Sequence, residues 1–461
     1  MRKLIGTKEF YRMALAIALP LMIQNGITSF VNLLDNLMVG QVGTEAMTGV
    51  SIANQLMFVF QLTVFGGVSG AGIFTAQYFG KGDQEGIRYT FRFKVIVTTV
   101  LAVLAAWIFW FFGPRLIEMF LHEDQAGDIA LCRQQSQAYL RVAVFTVFPF
   151  VLTQCYSDTL RNCGQTVAPM AAGVVAIIIN VTFNYLLIFG KFGFPELGVQ
   201  GAAIATLMAR VVEAAILIIW TRRKAHRYPF ILGAWSSLHI PAQLTKRIVI
   251  KGLPLLFNET FWSIGMAFMA QCYSTRGLSA VAAYQICLTV WELFTIVAFA
   301  LGNSVGIIAG QKLGAGELDK ARDHAWKLIA FAVAVACGFA VILAVCADQF
   351  PKLYNTAPEV RTLAAQLLRV MAVCLPLVTF THSSYFTLRC GGQTMITLLF
   401  DSVFTWVVNI PLAFVLSRYT TLPMLPLYCL CQTPELLKCI LGFVMVKSGK
   451  WLKNLTMESL D

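Results

Sequence analysis

Six acidic residues interrupt apolar stretches of this chain: Asp35, Asp158, Glu213, Glu259, Glu292 and Asp401. An ionised carboxylate at the centre of a membrane helix costs about 2.5–3.5 kcal/mol or more, so each must pair, protonate or hold a cation. Glu259 is the leading candidate. It follows Pro254 by about one and a half helical turns, where a proline opens and bends the backbone, and a carboxyl there is suited to loading and releasing a proton. Asp401 lies not far in sequence from Arg389. Either those two form an ion pair, or Asp401 works beside Glu259 and their titrations are coupled.

Asp35 stands near the end of the first apolar run, and Asn180 and Asn184 are four residues apart, hence on one face of a helix. One carboxylate and two amide oxygens, with the Thr206 hydroxyl in addition, form an oxygen-rich donor set for a hard cation. Asp158 with Arg161, and Arg210 with Glu213, are spaced i,i+3 and read as ion pairs. Trp291 and Glu292 are suited to attracting an organic cation. His382 reads as polar packing.

The elements that must position these groups are membrane helices. The 461 residues are 58% hydrophobic and 13% charged, against about 25% charged in soluble chains, and mean hydropathy is +0.71. A span takes about 20 apolar residues, and about twelve runs fit: six between Phe10 and Trp220, six between Leu253 and Val446. The first run is too long for the apolar core of a secretion signal. Basic residues alternate by loop, rich at the N-terminus, Lys81 to Lys94, Arg222 to Lys251, Lys312 to Lys327 and the tail, whereas the Arg115 to Asp128 loop is acidic. The positive-inside rule then puts both termini and the middle loop in the cytoplasm, in a multi-pass protein of the cytoplasmic (inner) membrane. The net charge of +12 reflects this asymmetry, with no nucleic-acid partner implied.

Twelve cysteines without a CxxC pair read as small buried hydrophobes, not a metal site or disulfide framework. No Gly-Lys-Ser or Gly-Lys-Thr occurs, which excludes ATP hydrolysis through a P-loop. No nucleophile, metal cluster or loop carboxylate cluster is legible, so neither enzymatic activity nor a cofactor is expected.

The chain also repeats itself. Ala18-Leu19-Pro20-Leu21 returns as Gly252-Leu253-Pro254-Leu255 and Gly80-Lys81-Gly82-Asp83 as Gly314-Ala315-Gly316-Glu317, both 234 positions apart. Leu160-Arg161-Asn162-Cys163-Gly164-Gln165-Thr166 returns as Leu388-Arg389-Cys390-Gly391-Gly392-Gln393-Thr394, 228 apart. The expected organisation is an N-terminal lobe (1–222), a cytoplasmic interlobe linker (223–246) broken by Pro229 and Pro241, and a C-terminal lobe (247–461). Parallel repeats in a membrane are the architecture of alternating-access transporters.

The Ala18-Leu19-Pro20 opening, the Asp35-Asn36-Leu37-Met38-Val39-Gly40 helix end and the Gln77-to-Asp83 loop resemble multidrug and toxic compound extrusion (MATE) transporters. Gly252-Leu253-Pro254, Ala283-Tyr284-Gln285 and Gln311 to Glu317 resemble the family's second half. The resemblance implies an all-α integral membrane protein, with two pseudo-symmetric six-helix bundles facing a central cleft. It further implies export of cationic or amphipathic small molecules in exchange for protons or sodium ions by a chain functional as a monomer. Asp35, Asn180 and Asn184 would then be coupling residues of the first lobe, and Glu259 with Asp401 those of the second. Gln285, Trp291 and Glu292 would line the substrate cleft. The rival within this doubled-bundle plan is a flippase for lipid-linked oligosaccharides, which calls for several intramembrane arginines; Arg141, Arg210 and Arg369 are available but scattered.

Overall fold

A computed structural model describes residues 5–119, 128–354 and 356–457; Glu123 and Asp124 of the acidic loop lie outside them. The described residues form helices and no strands. In chain order the long helices are α1 (Lys8–Gly40), α2 (Thr44–Lys81) and α3 (Gln84–Glu118). They continue with α4 (Ile129–Asn162), α5 (Val167–Phe189) and α6 (Gly198–Arg223). The second half holds α7 (Ala242–Ser274), α8 (Leu278–Gly314) and α9 (Leu318–Cys346), then α10 (Pro358–Cys390), α11 (Thr394–Tyr419) and α12 (Met424–Ser448). Eleven of these are long and apolar enough among the described residues to cross a bilayer, which makes the protein a multi-pass membrane protein. The other is α7, which carries Lys246, Arg247, Lys251 and Glu259. Exposed aromatics such as Trp107, Trp110 and Phe111 on α3 suit a lipid-facing surface.

Contacts divide the chain into two compact units. One comprises Ile23–Thr75 and Asp83–Ile248; the other comprises the chain up to Met22, Ala76–Gly82 and the chain from Val249. We call them the N-terminal and C-terminal units.

The repeated motifs have a physical meaning inside the C-terminal unit. The first glycine of each Gly-x-Gly-acid motif serves a helix crossing. A Cβ on Gly80 would lie 1.8 Å from the Gln311 carbonyl oxygen, and one on Gly314 would lie 1.8 Å from that of Gln77. The contact is reciprocal, and only glycine permits it. The second glycine stops the helix with a left-handed backbone, at φ +79° for Gly82 and +76° for Gly316. Asp83 then starts α3 by accepting the Gly86 amide at 2.9 Å.

A C-terminal strap locks this crossing. Gln77 Nε2 donates to the carbonyls of Cys390 (2.9 Å) and Lys453 (3.2 Å), and its Oε1 accepts the Leu455 amide at 2.6 Å. Lys81 Nζ reaches the Thr456 carbonyl at 3.1 Å and Asn454 Nδ2 the Gly314 carbonyl at 3.2 Å. Trp451 is wholly buried beneath the strap.

In the N-terminal unit, the segment read as a linker is anchored to α3. Arg92 is buried and its guanidinium donates to the carbonyls of Gly233 (2.7 Å), Ala234 (3.0 Å) and His239 (3.1 Å). The Phe91 ring packs between Phe230 and Trp235, with centroids 5.7 and 6.0 Å away.

Two sequence expectations are corrected here. Lys94, counted among the loop residues, is fully buried in α3. Asp158 accepts from Lys94 Nζ at 2.7 Å, where the i,i+3 spacing had suggested Arg161; Arg161 donates instead to Gln24 Oε1 at 2.6 Å. The physical reason is donor geometry. Lys94 finds three acceptors for its three protons, adding Thr75 Oγ1 (2.9 Å) and Thr159 Oγ1 (3.1 Å). The Arg210–Glu213 pair forms as expected, at 2.8 Å.

Two stability predictions follow from these contacts. Gly80→Ala and Gly314→Ala should each lower stability by about 1–3 kcal/mol through overpacking, while Gly338→Ala, with nothing within 4 Å of its new methyl, should not. Thermal melting in detergent distinguishes them, and equal melting temperatures would contradict the crossing. Lys94→Met should cost about 1–3 kcal/mol by leaving the half-buried Asp158 carboxylate without its ammonium. The double change Lys94→Met with Asp158→Asn should recover part of that loss in the same assay.

Candidate functional site

Each unit contains its own polar cluster, set among apolar side chains. In the N-terminal unit α1 brings Asp35, α5 brings Asn180 and Asn184, and α6 brings Thr206. Asn184 Nδ2 donates to Asp35 Oδ1 at 2.6 Å and to Asn180 Oδ1 at 3.3 Å. Asn180 Nδ2 donates to Thr206 Oγ1 at 3.2 Å, which in turn donates to the Ala202 carbonyl at 3.0 Å. The i,i+4 spacing thus places both amides on one helix face, and the four side chains form a continuous relay. Asn180 and Asn184 are 6% and 1% exposed, so the helices alone decide their orientation.

A cavity of about 130 Å³ opens against this cluster, lined among others by Gln24, Asp35, Asn180, Thr206, Arg210 and Glu213. Its wall offers two carboxylates, Asp35 and the Arg210-paired Glu213, with several neutral oxygens; carboxylate and neutral oxygens are the ligand chemistry of a hard cation such as sodium. Among the described residues no group of three or more His, Cys, Asp or Glu side chains gathers to hold a transition metal.

In the C-terminal unit Glu259 and Asn258 share α7, and Asp401 lies on α11. Asp401 is partnered by Lys438 of α12, with Nζ 2.6 Å from Oδ1. Its Oδ2 accepts from Asn258 Nδ2 at 3.1 Å. The ion pair considered for Asp401 and Arg389 is therefore made with Lys438 instead. Arg389, at the start of a turn ending α10, lies over the Phe386 ring with its guanidinium carbon 5.5 Å from the centroid. The charged groups acting on Glu259 are Arg389 and Asp401.

The backbone around Asp401 is unusual. Leu399–Val403 and Thr405–Asn409 are π-helical, a geometry frequent at functional sites. Pro411, which cannot donate to the carbonyl four residues back and whose ring crowds it, follows the second of these segments. Ser402 Oγ donates to the Asn258 carbonyl at 2.7 Å and contacts its Oδ1 at 2.8 Å, tying the widened turn to α7. His382 is half-buried and edge-on to Phe299, with ring centroids 4.3 Å apart.

The three residues expected at a substrate cleft lie together on α8. Gln285 and Glu292 are exposed, and Trp291 is half-buried against the unit's apolar core. Sequence reasoning passed over Lys438, Asn258 and Gln24. Lys438 carried a signal, being the one charge in the middle of an apolar run from Leu436 to Val446.

A family model described as MatE matches residues 20–186 and 254–415. The chain is 25% identical, over 97% of its length, to "Probable multidrug resistance protein NorM" of Thermotoga maritima, of which it covers 94%. It is 26% identical, over 88% of its length, to "Probable multidrug resistance protein YoeA" of Bacillus subtilis, of which it covers 87%. One similar solved structure is described as an outward-facing conformation of a multidrug resistance MATE family transporter of the MOP superfamily, with TM-score 0.86 and 20% identity over 96% of both chains. The two matched stretches begin at Pro20 and Pro254, the same residues that open the internal repeat. The chain belongs to the MatE family, and is a membrane transporter rather than an enzyme.

Proposed function

We propose that the protein is a secondary active antiporter of the cytoplasmic (inner) membrane, exporting organic cations or amphipathic small molecules in exchange for protons or sodium ions. The observation that carries this reading is the Asp35–Asn184–Asn180–Thr206 relay beside its cavity. A carboxylate inside a membrane domain is costly unless it is paired, protonated or serves an ion. The curated relatives' names, multidrug resistance proteins, suggest the substrate class.

In the cycle we envisage, a coupling cation at the Asp35 cluster favours one conformation and substrate favours the other. Each ligand must bind the two states unequally for exchange to occur. Inward charge movement supplies about 2.3 kcal/mol per 100 mV of membrane potential. Glu259 serves as a second, proton-exchanging group with Asp401 acting on it through its charge, and Gln285, Trp291 and Glu292 meet the substrate. Both termini are cytoplasmic, the lobes divide at residues 223–246, the working unit is a monomer in lipid, and no cofactor is needed. A flippase for lipid-linked oligosaccharides is less well supported, because Arg210 is paired with Glu213 and Arg369 with Asp348.

Efflux of a fluorescent organic cation from proteoliposomes, under a proton gradient or separately a sodium gradient, tests the proposal. Wild type should transport under at least one gradient, and Asp35→Asn should reduce the initial rate about tenfold or more, equivalent to about 1.4 kcal/mol. Glu259→Gln should reduce transport under a proton gradient. Transport that ignores both gradients would refute antiport, and an unaffected Asp35→Asn would remove the first-lobe site.

A further inference from the structure

The internal repeat places Asn258 and Asp401 at the positions of Gln24 and Gly173, at the offsets of 234 and 228 that relate the halves. Each adjoins a basic residue, Arg210 in the cavity wall and Lys438, themselves 228 apart, and the two positions differ in their carboxylate. In the N-terminal unit Gly173 adjoins the cavity, and a Cβ there would lie 3.2 Å from Gln24 Nε2 and 3.7 Å from Glu213 Oε1. In the C-terminal unit the equivalent position carries the Asp401 carboxylate. The residue set against it is not another acid but Lys438, with its ammonium 2.6 Å from Asp401 Oδ1.

Both oxygens of Asp401 are thereby engaged, one by the ammonium and the other by Asn258 Nδ2 at 3.1 Å. The Lys438 ammonium also stands 5.5 Å from the centre of the Phe400 ring. A carboxylate oxygen on one side and an aromatic face on the other is the surrounding a free monovalent cation would seek. The charged groups acting on the pair are Glu259 of α7, His382 of α10 and, on the helix of Lys438 itself, Glu435. Glu435 itself accepts from Thr381 Oγ1 at 2.6 Å.

We infer that Lys438 is a tethered counter-cation that fills the cation seat at Asp401, so that sodium as a free coupling cation is excluded there and accepted in the N-terminal unit alone. The inference deepens the antiport reading, on which the words "coupling cation" rest. Tethering raises the effective concentration of the ammonium at its carboxylate. A sodium ion that displaced it would also strand the buried ammonium without a partner, which the membrane interior penalises. Lys438 is on this account a positioning residue for ion specificity.

Equilibrium binding of radioactive sodium to the purified full-length protein in detergent tests the inference. Lys438→Met should bind one sodium ion more per chain than wild type. Lys438→Arg should bind as wild type does, and Lys438→Met with Asp401→Asn should lose the gained ion. Folded Lys438→Met and Lys438→Gln proteins binding no more than wild type would overturn it, as would a gain that survives Asp401→Asn. Should Lys438→Met be unstable, its melting temperature should rise in sodium chloride over choline chloride while that of the double variant does not. Equal responses, including none in either, would also overturn it. Wild-type binding that is absent, or indifferent to Asp35→Asn, would count against the first-lobe coupling site and leave the Lys438 result to be judged by itself.

Discussion

The hydrocarbon interior cannot solvate charge, and that constraint organises the polar chemistry of this protein. Each buried charge is met at close range by something the fold supplies. Lys94 spends its protons on Asp158 and two threonine hydroxyls, Arg210 meets Glu213, and Lys438 meets Asp401. These pairs need not add much net stability, because desolvation offsets most of their attraction. They also disfavour packings that would strand a charge.

The same constraint gives the Asp35 cluster its interest. The Asn184 amide reaches this carboxylate, Asn180 and Thr206 continue the relay, and a cavity adjoins it. Carboxylate and amide oxygens are donors that suit a small hard ion. In the other unit the position equivalent to Gly173 of the cavity wall carries Asp401, and it is paired with Lys438. The two repeats thus differ in where they put carboxylates, and a doubled fold need not imply a doubled ion site.

Much of the architecture was legible in the sequence because it depends on composition and repetition. Twelve apolar runs became twelve long helices, and the short repeated blocks turned out to encode a helix crossing and helix stops rather than chemistry. The Asn180 and Asn184 pairing was legible because four-residue spacing is a local property of a helix. Partners supplied by distant helices were not. Nothing in the spacing of Asp158 and Arg161 reveals that Lys94 offers three better-placed protons, and a hydrophobic run gives no hint that α11 widens into π-helical turns around Asp401. Charged basic residues inside apolar runs were the neglected signal: Lys94 and Lys438 both had the mark of an obligate partner.

The central claim is that ion movement through the N-terminal unit drives substrate movement, and the most direct measurement is the substrate gradient at static head. In proteoliposomes, substrate flux would be brought to zero by opposing substrate gradients at a series of imposed proton or sodium gradients. The account predicts that the balancing substrate gradient rises in fixed proportion to the gradient of one ion, giving an integral exchange ratio. A balancing gradient that stays at unity whatever ion gradient is applied would contradict it.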